Sequence, residues 1–180
     1  MGMILMGFKT NFYNGSVITD LVVARPDVYT EKRGQIWTSF LQQEFVNYVP
    51  FEFVHDKFST STKNVLRGIH GDHKSWKLIS CPYGDISAVI VDMRSNSETY
   101  LKYERFELNS ENRLHILIPP GIGNSFYVNS DVAVYHYKLA YEGDYIDADQ
   151  QFTIKWNDLR LNINWPSGDP ILSDRDELIL

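Results

Sequence analysis

Short runs of alternating apolar and polar residues, separated by turn-forming residues, recur along this chain and constrain its fold most strongly. In the clearest run, SDVAVYHYKLAY (130–141), Ala133, Tyr135 and Tyr137 fall on one face of a strand. Similar runs are DLVVARP, PFEFVHDKFS, DISAVIVDMRS and ENRLHILIPPG, and turn signals include PYGD (82–85) and PPG (119–121). Many short strands at close spacing predict an all-β sandwich or barrel.

Two segments depart from this pattern. GQIWTSFLQQEF (34–45) is compatible with a strand or a short helix, and Ser173 is placed to cap a short helical turn in the tail SDRDELIL. The sequence therefore predicts few helices, all of them short.

Composition limits the functions that the chain can have. Its 180 residues fit one domain, and its net charge of −6 argues against binding along a nucleic-acid backbone. The single cysteine, Cys81, rules out an internal disulfide and indicates a reducing compartment, so we expect a cytoplasmic location. No run approaches the roughly 20 apolar residues of a membrane span, and we interpret MGMILMGFKTNF as a packing strand or arm, not a signal peptide.

The stretch NVLRGIHGDHKSWKL (64–78) concentrates basic and aromatic side chains. A metal site is disfavoured, because His70 and His73 are three residues apart and a strand would place them on opposite faces. The stretch can be a phosphate-binding site, since the side chains of Arg67 and the lysines bind anions. It can also hold a histidine base, which then needs a carboxylate to orient it, or it can be a polar hairpin with no site.

The order of several motifs along the chain resembles one family. VLRGIH, Lys77-Leu78, VDMRS, IPPG, YHYK, IKWNDLRLNINWP and PILSDRD follow one another between about Asp27 and Asp176. This series resembles the dTDP-4-dehydrorhamnose 3,5-epimerase family of sugar-nucleotide cupins. The resemblance implies a cupin jelly-roll fold over residues 1–180, with the first 50 or so residues crossing to the partner of a homodimer and residues 171–180 as a short tail.

The resemblance also implies a reaction and the residues that perform it. A base removes a proton next to the carbonyl of a nucleotide-linked 4-keto sugar, and an acid reprotonates the enolate from the opposite face. His70 matches the family's base, Asp176 its carboxylate partner, Tyr137 the acid, and Lys77 the lysine near the enolate oxygen. The carbonyl already supplies the electron sink, so we expect neither a cofactor nor a metal.

The substrate contacts implied by the resemblance differ from the family pattern. Asn124 stands where a histidine is usual, and Gly71 and Asp72 follow the base in place of an aromatic residue and a glutamine. The substrate-binding positions inferred in this way are Arg67, Asn124, His55, Lys57, Ser59 and Arg33.

The Gly-Asn-Ser variant around Asn124 resembles GDP-linked 4-keto-heptose epimerases of bacterial capsule pathways. A GDP-linked heptose is therefore the preferred substrate at this point, and the dTDP-linked 4-keto-6-deoxyglucose of rhamnose synthesis is the other. Two further functions stay open. One is a cupin keto-isomerase that moves the carbonyl along the ring, and the other is a non-catalytic sugar-binding cupin.

Overall fold

The computed structural model describes residues 9–177, and most of its regular structure is β-strand. The strands are β1 (Thr10–Asn14), β2 (Val22–Pro26), β3 (Val28–Glu31), β4 (Gly34–Trp37), β5 (Phe53–Thr62), β6 (Leu66–Gly71), β7 (Trp76–Tyr83), β8 (Asp85–Asp92), β9 (Tyr103–Asn109), β10 (His115–Ile118), β11 (Ile122–Val128), β12 (Val132–Ala140) and β13 (Phe152–Thr153). The helices are α1 (Gln42–Phe45), α2 (Asp174–Glu177) and a 3-10 turn, Ala148–Gln150. The predicted all-β class with few short helices is confirmed.

Two sheets pack face to face. One has six strands in the order β1-β2-β10-β7-β12-β5, and the other has five in the order β13-β6-β11-β8-β9. Every strand pair within them is antiparallel. The hairpin β3–β4 forms a separate two-stranded sheet. This is the layered arrangement of a β-sandwich, in which inward side chains of both sheets build one core.

The alternation read from the sequence sets which side chains reach that core. On β12, Ala133 and Tyr135 are buried in the main apolar cluster and Tyr137 packs against it, so the face that these three residues share is the inward one. Strand β8 is buried on both faces, since Ile86, Ala88 and Ile90 belong to the same cluster whereas Val89 and Val91 belong to a second one. A buried strand of this kind reads as a continuous apolar run because both of its faces are covered.

The segment 34–45, for which the sequence allowed a strand or a short helix, contains one of each, since β4 occupies its first part and α1 its last. Ser173 does cap α2, because its Oγ accepts the backbone N–H of Asp176 at 3.4 Å.

In the amino-terminal arm, β1 and β2 pair with each other and β2 pairs with β10. Residues 1–8 and 178–180 lie outside the described residues, so the arm and tail predictions are only partly covered. The crossing of this arm to a partner, and the single-domain boundary at 1–180, stay predictions.

Candidate active site

A cavity of about 400 Å³ lies between the two sheets, closed at one side by residues 145–151 and by α2. It brings together eight of the ten side chains that the sequence singled out. They are Lys57, Ser59, Arg67, His70, Lys77, Asn124, Tyr137 and Asp176.

His70 and Asp176 form a close pair although 106 residues separate them in the chain. Asp176 Oδ1 lies 2.6 Å from His70 Nε2, and its other oxygen accepts hydrogen bonds from Ser173 Oγ at 3.0 Å and the Gly68 amide at 3.5 Å. Burial alone would raise the pKa of Asp176, but the hydrogen bond and charge of His70 and these two donors lower it below its usual value. Asp176 is therefore a buried carboxylate that stays ionised and orients the imidazole.

Arg67 and His70 face the same cavity even though they are three positions apart on β6. The register of β6 against β11 explains this, because Asn124 pairs with His70 while Phe126 pairs with Arg67. Gly68 and Ile69 of β6 therefore lie opposite the single residue Ser125 of β11, which is the geometry of a β-bulge. Gly68 lies within the bulge with a φ of +117°, and a Cβ there would come within 2.7 Å of the Asn124 carbonyl oxygen. Glycine is required for that backbone position.

Lys77 reaches the cavity from β7, on the opposite sheet. Its Nζ donates to Asn124 Oδ1 at 3.2 Å and lies 3.8 Å from Asp72 Oδ2. Burial lowers the pKa of Lys77, Asp72 acts against that shift, and Arg175 adds to it. Asn124 also donates from Nδ2 to Tyr135 OH at 3.1 Å, so both ends of its amide are engaged.

Tyr137 is the candidate acid on β12. Burial raises the pKa of Tyr137, while the nearby cations Lys57 and Arg67 oppose the rise. The net shift is upward, so the phenol keeps its proton at neutral pH. Lys57 in turn donates to Tyr145 OH at 2.9 Å and lies 4.3 Å from the centre of that ring, which places Tyr145 at the cavity wall.

Two of the predicted site residues do not line this cavity. Arg33 lies in the turn between β3 and β4, where it pairs with Glu31 and its side chain is 81% exposed. His55 lies on β5 with its ring 4.8 Å from that of Tyr145, one side chain away from the cavity wall. Their substrate-binding roles stay predictions.

Several cavity residues were not assigned by the sequence, above all Asp72 and Arg175. The sequence marked Asp72 only as a departure from the family pattern.

His73 and Lys74, which the sequence did not assign either, are accounted for by loop contacts. The His73 ring packs 5.2 Å from the Phe152 ring, and Lys74 Nζ donates to the Asp144 carbonyl at 2.6 Å.

Two features are absent from residues 9–177. No group of three or more histidine, cysteine, aspartate or glutamate side chains in this range is placed to hold a metal ion. No helix in this range is long and apolar enough to cross a membrane.

Comparisons with known proteins agree on one family. Residues 16–179 match the family model described as dTDP-4-dehydrorhamnose 3,5-epimerase. The enzyme of that name from Escherichia coli K12 is 37% identical over 166 residues, which cover 89% of this chain and 88% of the relative. The enzyme of that name from Pseudomonas aeruginosa is 34% identical over 164 residues, or 88% of this chain and 89% of the relative.

Solved structures show the same likeness. The 3,5-epimerase of Legionella pneumophila in complex with dTDP-4-keto-L-rhamnose superposes with a TM-score of 0.86 at 33% identity, covering 94% of this chain and 90% of that one. The Bacillus anthracis enzyme with TDP and pyrophosphate bound gives a TM-score of 0.88 at 29% identity, covering 96% and 99%. The cupin jelly-roll prediction is confirmed.

Proposed function

Because the chain belongs to the dTDP-4-dehydrorhamnose 3,5-epimerase family, an isomerase family, we propose that it inverts carbon 3, carbon 5 or both of a nucleotide-linked 4-keto sugar. The observation that carries the proposal is the buried His70–Asp176 pair, which opens on a cavity shared with Lys77 and Tyr137. A histidine oriented by a carboxylate, together with an acid and a cation, is the set that proton exchange next to a carbonyl requires.

Four residues of the cavity have separate roles in the proposed reaction. The free ring nitrogen of His70 takes the proton from the carbon, and the electron pair of the broken bond moves into an enolate at the C4 oxygen. The resulting imidazolium is stabilised by Asp176. Lys77 donates to the enolate oxygen, and Tyr137 delivers its proton to the opposite face of the carbon. The balance is one proton removed and one returned, so no cofactor is required.

Arg67 fits the anionic end of the substrate. Its Nε donates to Ser61 Oγ at 2.9 Å, which holds the side chain, and the residue is exposed where it lines the cavity. A guanidinium presented in this way can bind the diphosphate with two parallel hydrogen bonds. Lys57 and Ser59, which are both on β5, add further polar side chains to the wall of the cavity.

For the nucleotide, the relatives favour dTDP. The Escherichia coli and Legionella pneumophila enzymes are named for dTDP-linked sugars, and none of the relatives described above is named for a GDP-linked heptose. We therefore propose a dTDP-4-keto-6-deoxy sugar as the substrate, in place of the GDP-heptose that the sequence variant suggested. The GDP-linked 4-keto-heptose stays as the second candidate, since Asn124 brings an amide to the cavity where the family pattern has a histidine.

We further propose that the protein works as a homodimer to which the amino-terminal arm contributes. Supporting this, the hairpin β3–β4 is separate from both main sheets and exposes Tyr29 and Ile36, which are 39% and 56% accessible. Exposed apolar side chains on a projecting hairpin are typical of a surface that another chain covers.

One experiment tests both the reaction and the substrate. The protein is incubated in deuterated water with dTDP-4-keto-6-deoxyglucose or with a GDP-linked 4-keto-heptose, and the sugar is followed by NMR. We expect deuterium at carbon 3, carbon 5 or both, and inversion there. A carbonyl moved along the ring would instead identify a keto-isomerase, and binding without deuterium uptake would identify a sugar-binding cupin.

A further inference from the structure

Asp72 is a buried carboxylate that the proposed chemistry does not use. It follows the last residue of β6 and lies at the cavity wall, and its side chain is 4% exposed. Its neighbour Gly71 has no room for a side chain, because a Cβ there would come within 2.7 Å of the Ile122 carbonyl oxygen. A charged group this deeply buried needs a partner or a set of hydrogen bonds.

The two oxygens of Asp72 have different partners. Oδ1 accepts the backbone N–H groups of Lys74 at 2.9 Å and Ser75 at 2.5 Å, as in an Asx turn. Because Oδ1 is held by the turn, Oδ2 is directed toward the cavity, where it lies 3.8 Å from Lys77 Nζ. The carboxylate therefore has a fixed orientation toward the lysine.

Lys77 needs such a partner. Its side chain is 9% exposed, and its neutral hydrogen-bond acceptor is Asn124 Oδ1 at 3.2 Å. An ammonium without a counter-charge loses its proton when it is removed from water, and a neutral amine stabilises an enolate far less well than a cation does. At 3.8 Å, Asp72 supplies the counter-charge without a short hydrogen bond, so an N–H of Lys77 stays available to a substrate oxygen.

We propose that Asp72 is a positioning residue, which holds Lys77 in the cavity as an ammonium whose free N–H meets the C4 oxygen of the sugar. The role in the reaction rests on the proposed function, whereas the control of Lys77 by Asp72 is a property of the protein alone. The two statements are therefore tested separately.

The first test needs no substrate. The protein is labelled with ¹³C at lysine Cε, the Lys77 signal is assigned with Lys77→Arg, and its titration is compared between wild type and Asp72→Asn. Asparagine keeps an oxygen for the two backbone N–H groups and removes only the charge. We expect the titration midpoint of Lys77 to fall by about one pH unit or more, because an anion 3.8 Å away is lost.

The matched control is Asp131→Asn, which changes the net charge equally. The side chain of Asp131 is 97% exposed, and its salt-bridge partner is the surface residue Lys63. In this variant Lys77 should titrate as in wild type. If Asp72→Asn does not fold, Asp72→Ser is titrated instead, since a serine hydroxyl also accepts backbone N–H groups at a turn. An unchanged Lys77 midpoint in the folded variant overturns the proposal.

The second test measures turnover against pH. The titratable groups that share the cavity with Lys77 are Arg67 and His70 on β6, Asp72 after β6, Lys57 on β5, Tyr135 and Tyr137 on β12, Tyr145 and Asp147 in the segment 145–151, and Arg175 and Asp176 on α2. Only the Asp72 charge changes in Asp72→Asn. The ammonium form of Lys77 is lost as pH rises through its pKa, so a lower pKa means that activity is lost at lower pH.

We therefore expect the ratio of wild-type to Asp72→Asn kcat to rise as pH increases from the midpoint of the variant to that of wild type, and to level off at about tenfold for a shift of one pH unit, with KM changed much less. A ratio that stays constant with pH would show that Asp72 acts only on the structure, and the reaction role would be wrong. If wild type converts no 4-keto sugar nucleotide, the proposed function fails, and the Lys77 titration still decides whether Asp72 controls the lysine.

Discussion

Replacement of Asp176 by asparagine tests the centre of the proposed mechanism. The carboxylate lies 2.6 Å from His70 Nε2 and is 2% exposed, so asparagine fits the same space and removes the charge. With the imidazolium charge spread over its ring, the effective separation of the charges is about 4 Å, which corresponds to about 4 kcal/mol at an effective dielectric constant of 20. A neutral hydrogen bond from the asparagine returns about 1 kcal/mol.

The difference of about 3 kcal/mol sets the expected loss. It corresponds to a roughly 150-fold lower kcat if the proton is fully transferred in the transition state, and about tenfold if it is half transferred. The asparagine amide can also donate to Nε2 and hold His70 in the wrong tautomer, which adds to the loss. We therefore expect a decrease of at least about tenfold in deuterium exchange and in epimerisation alike, since both need the first proton transfer.

The matched control for this prediction is Asp174→Asn. Asp174 is on the same helix, α2, and is exposed to solvent, so its replacement changes the net charge equally without touching the pair. Rates are measured by NMR in deuterated water, with folding checked by thermal unfolding. A folded Asp176→Asn protein whose exchange rate stays within twofold of wild type would refute the assignment of His70 and Asp176 as base and orienting carboxylate.

Three further predictions concern other parts of the molecule. Tyr137→Phe should slow epimerisation more than deuterium exchange, because His70 can still return a deuteron to the face it deprotonates; equal losses in the two rates would contradict the acid role. Arg67→Ala should raise KM by roughly tenfold to a hundredfold with kcat little changed, as expected from the loss of a charge-assisted contact; an unchanged KM in steady-state kinetics would remove Arg67 from the substrate site. Cys81 is 3% exposed and burial raises its pKa to about 12, so iodoacetamide should label it only after unfolding, as mass spectrometry can show; labelling of the native protein at neutral pH would contradict this.

Apolar runs and period-two alternation are local properties, so the sequence predicted β2, β5, β8, β10 and β12 and the residues of β12 that share a face. The same reasoning cannot pair His70 with Asp176, since residues 106 positions apart meet only when both sheets are formed. The family resemblance, not the pattern, placed that pair. Strand periodicity alone would also have put Arg67 and His70 on opposite faces, and the bulge at Gly68 is the reason that they share one.

Asp72 shows most clearly why a site cannot be read from motifs alone. In the sequence, Asp72 stands two residues after His70, within a turn. Aspartate is common in turns because its side chain accepts hydrogen bonds from nearby backbone N–H groups. In the fold that turn ends at the cavity, and Lys77 arrives from the other sheet, 3.8 Å away. The turn and the charge pair use different oxygens of one carboxylate, so the same residue serves local structure and electrostatics. Asp72→Asn preserves the first role and removes the second, and it therefore distinguishes a structural aspartate from one that sets the charge of Lys77.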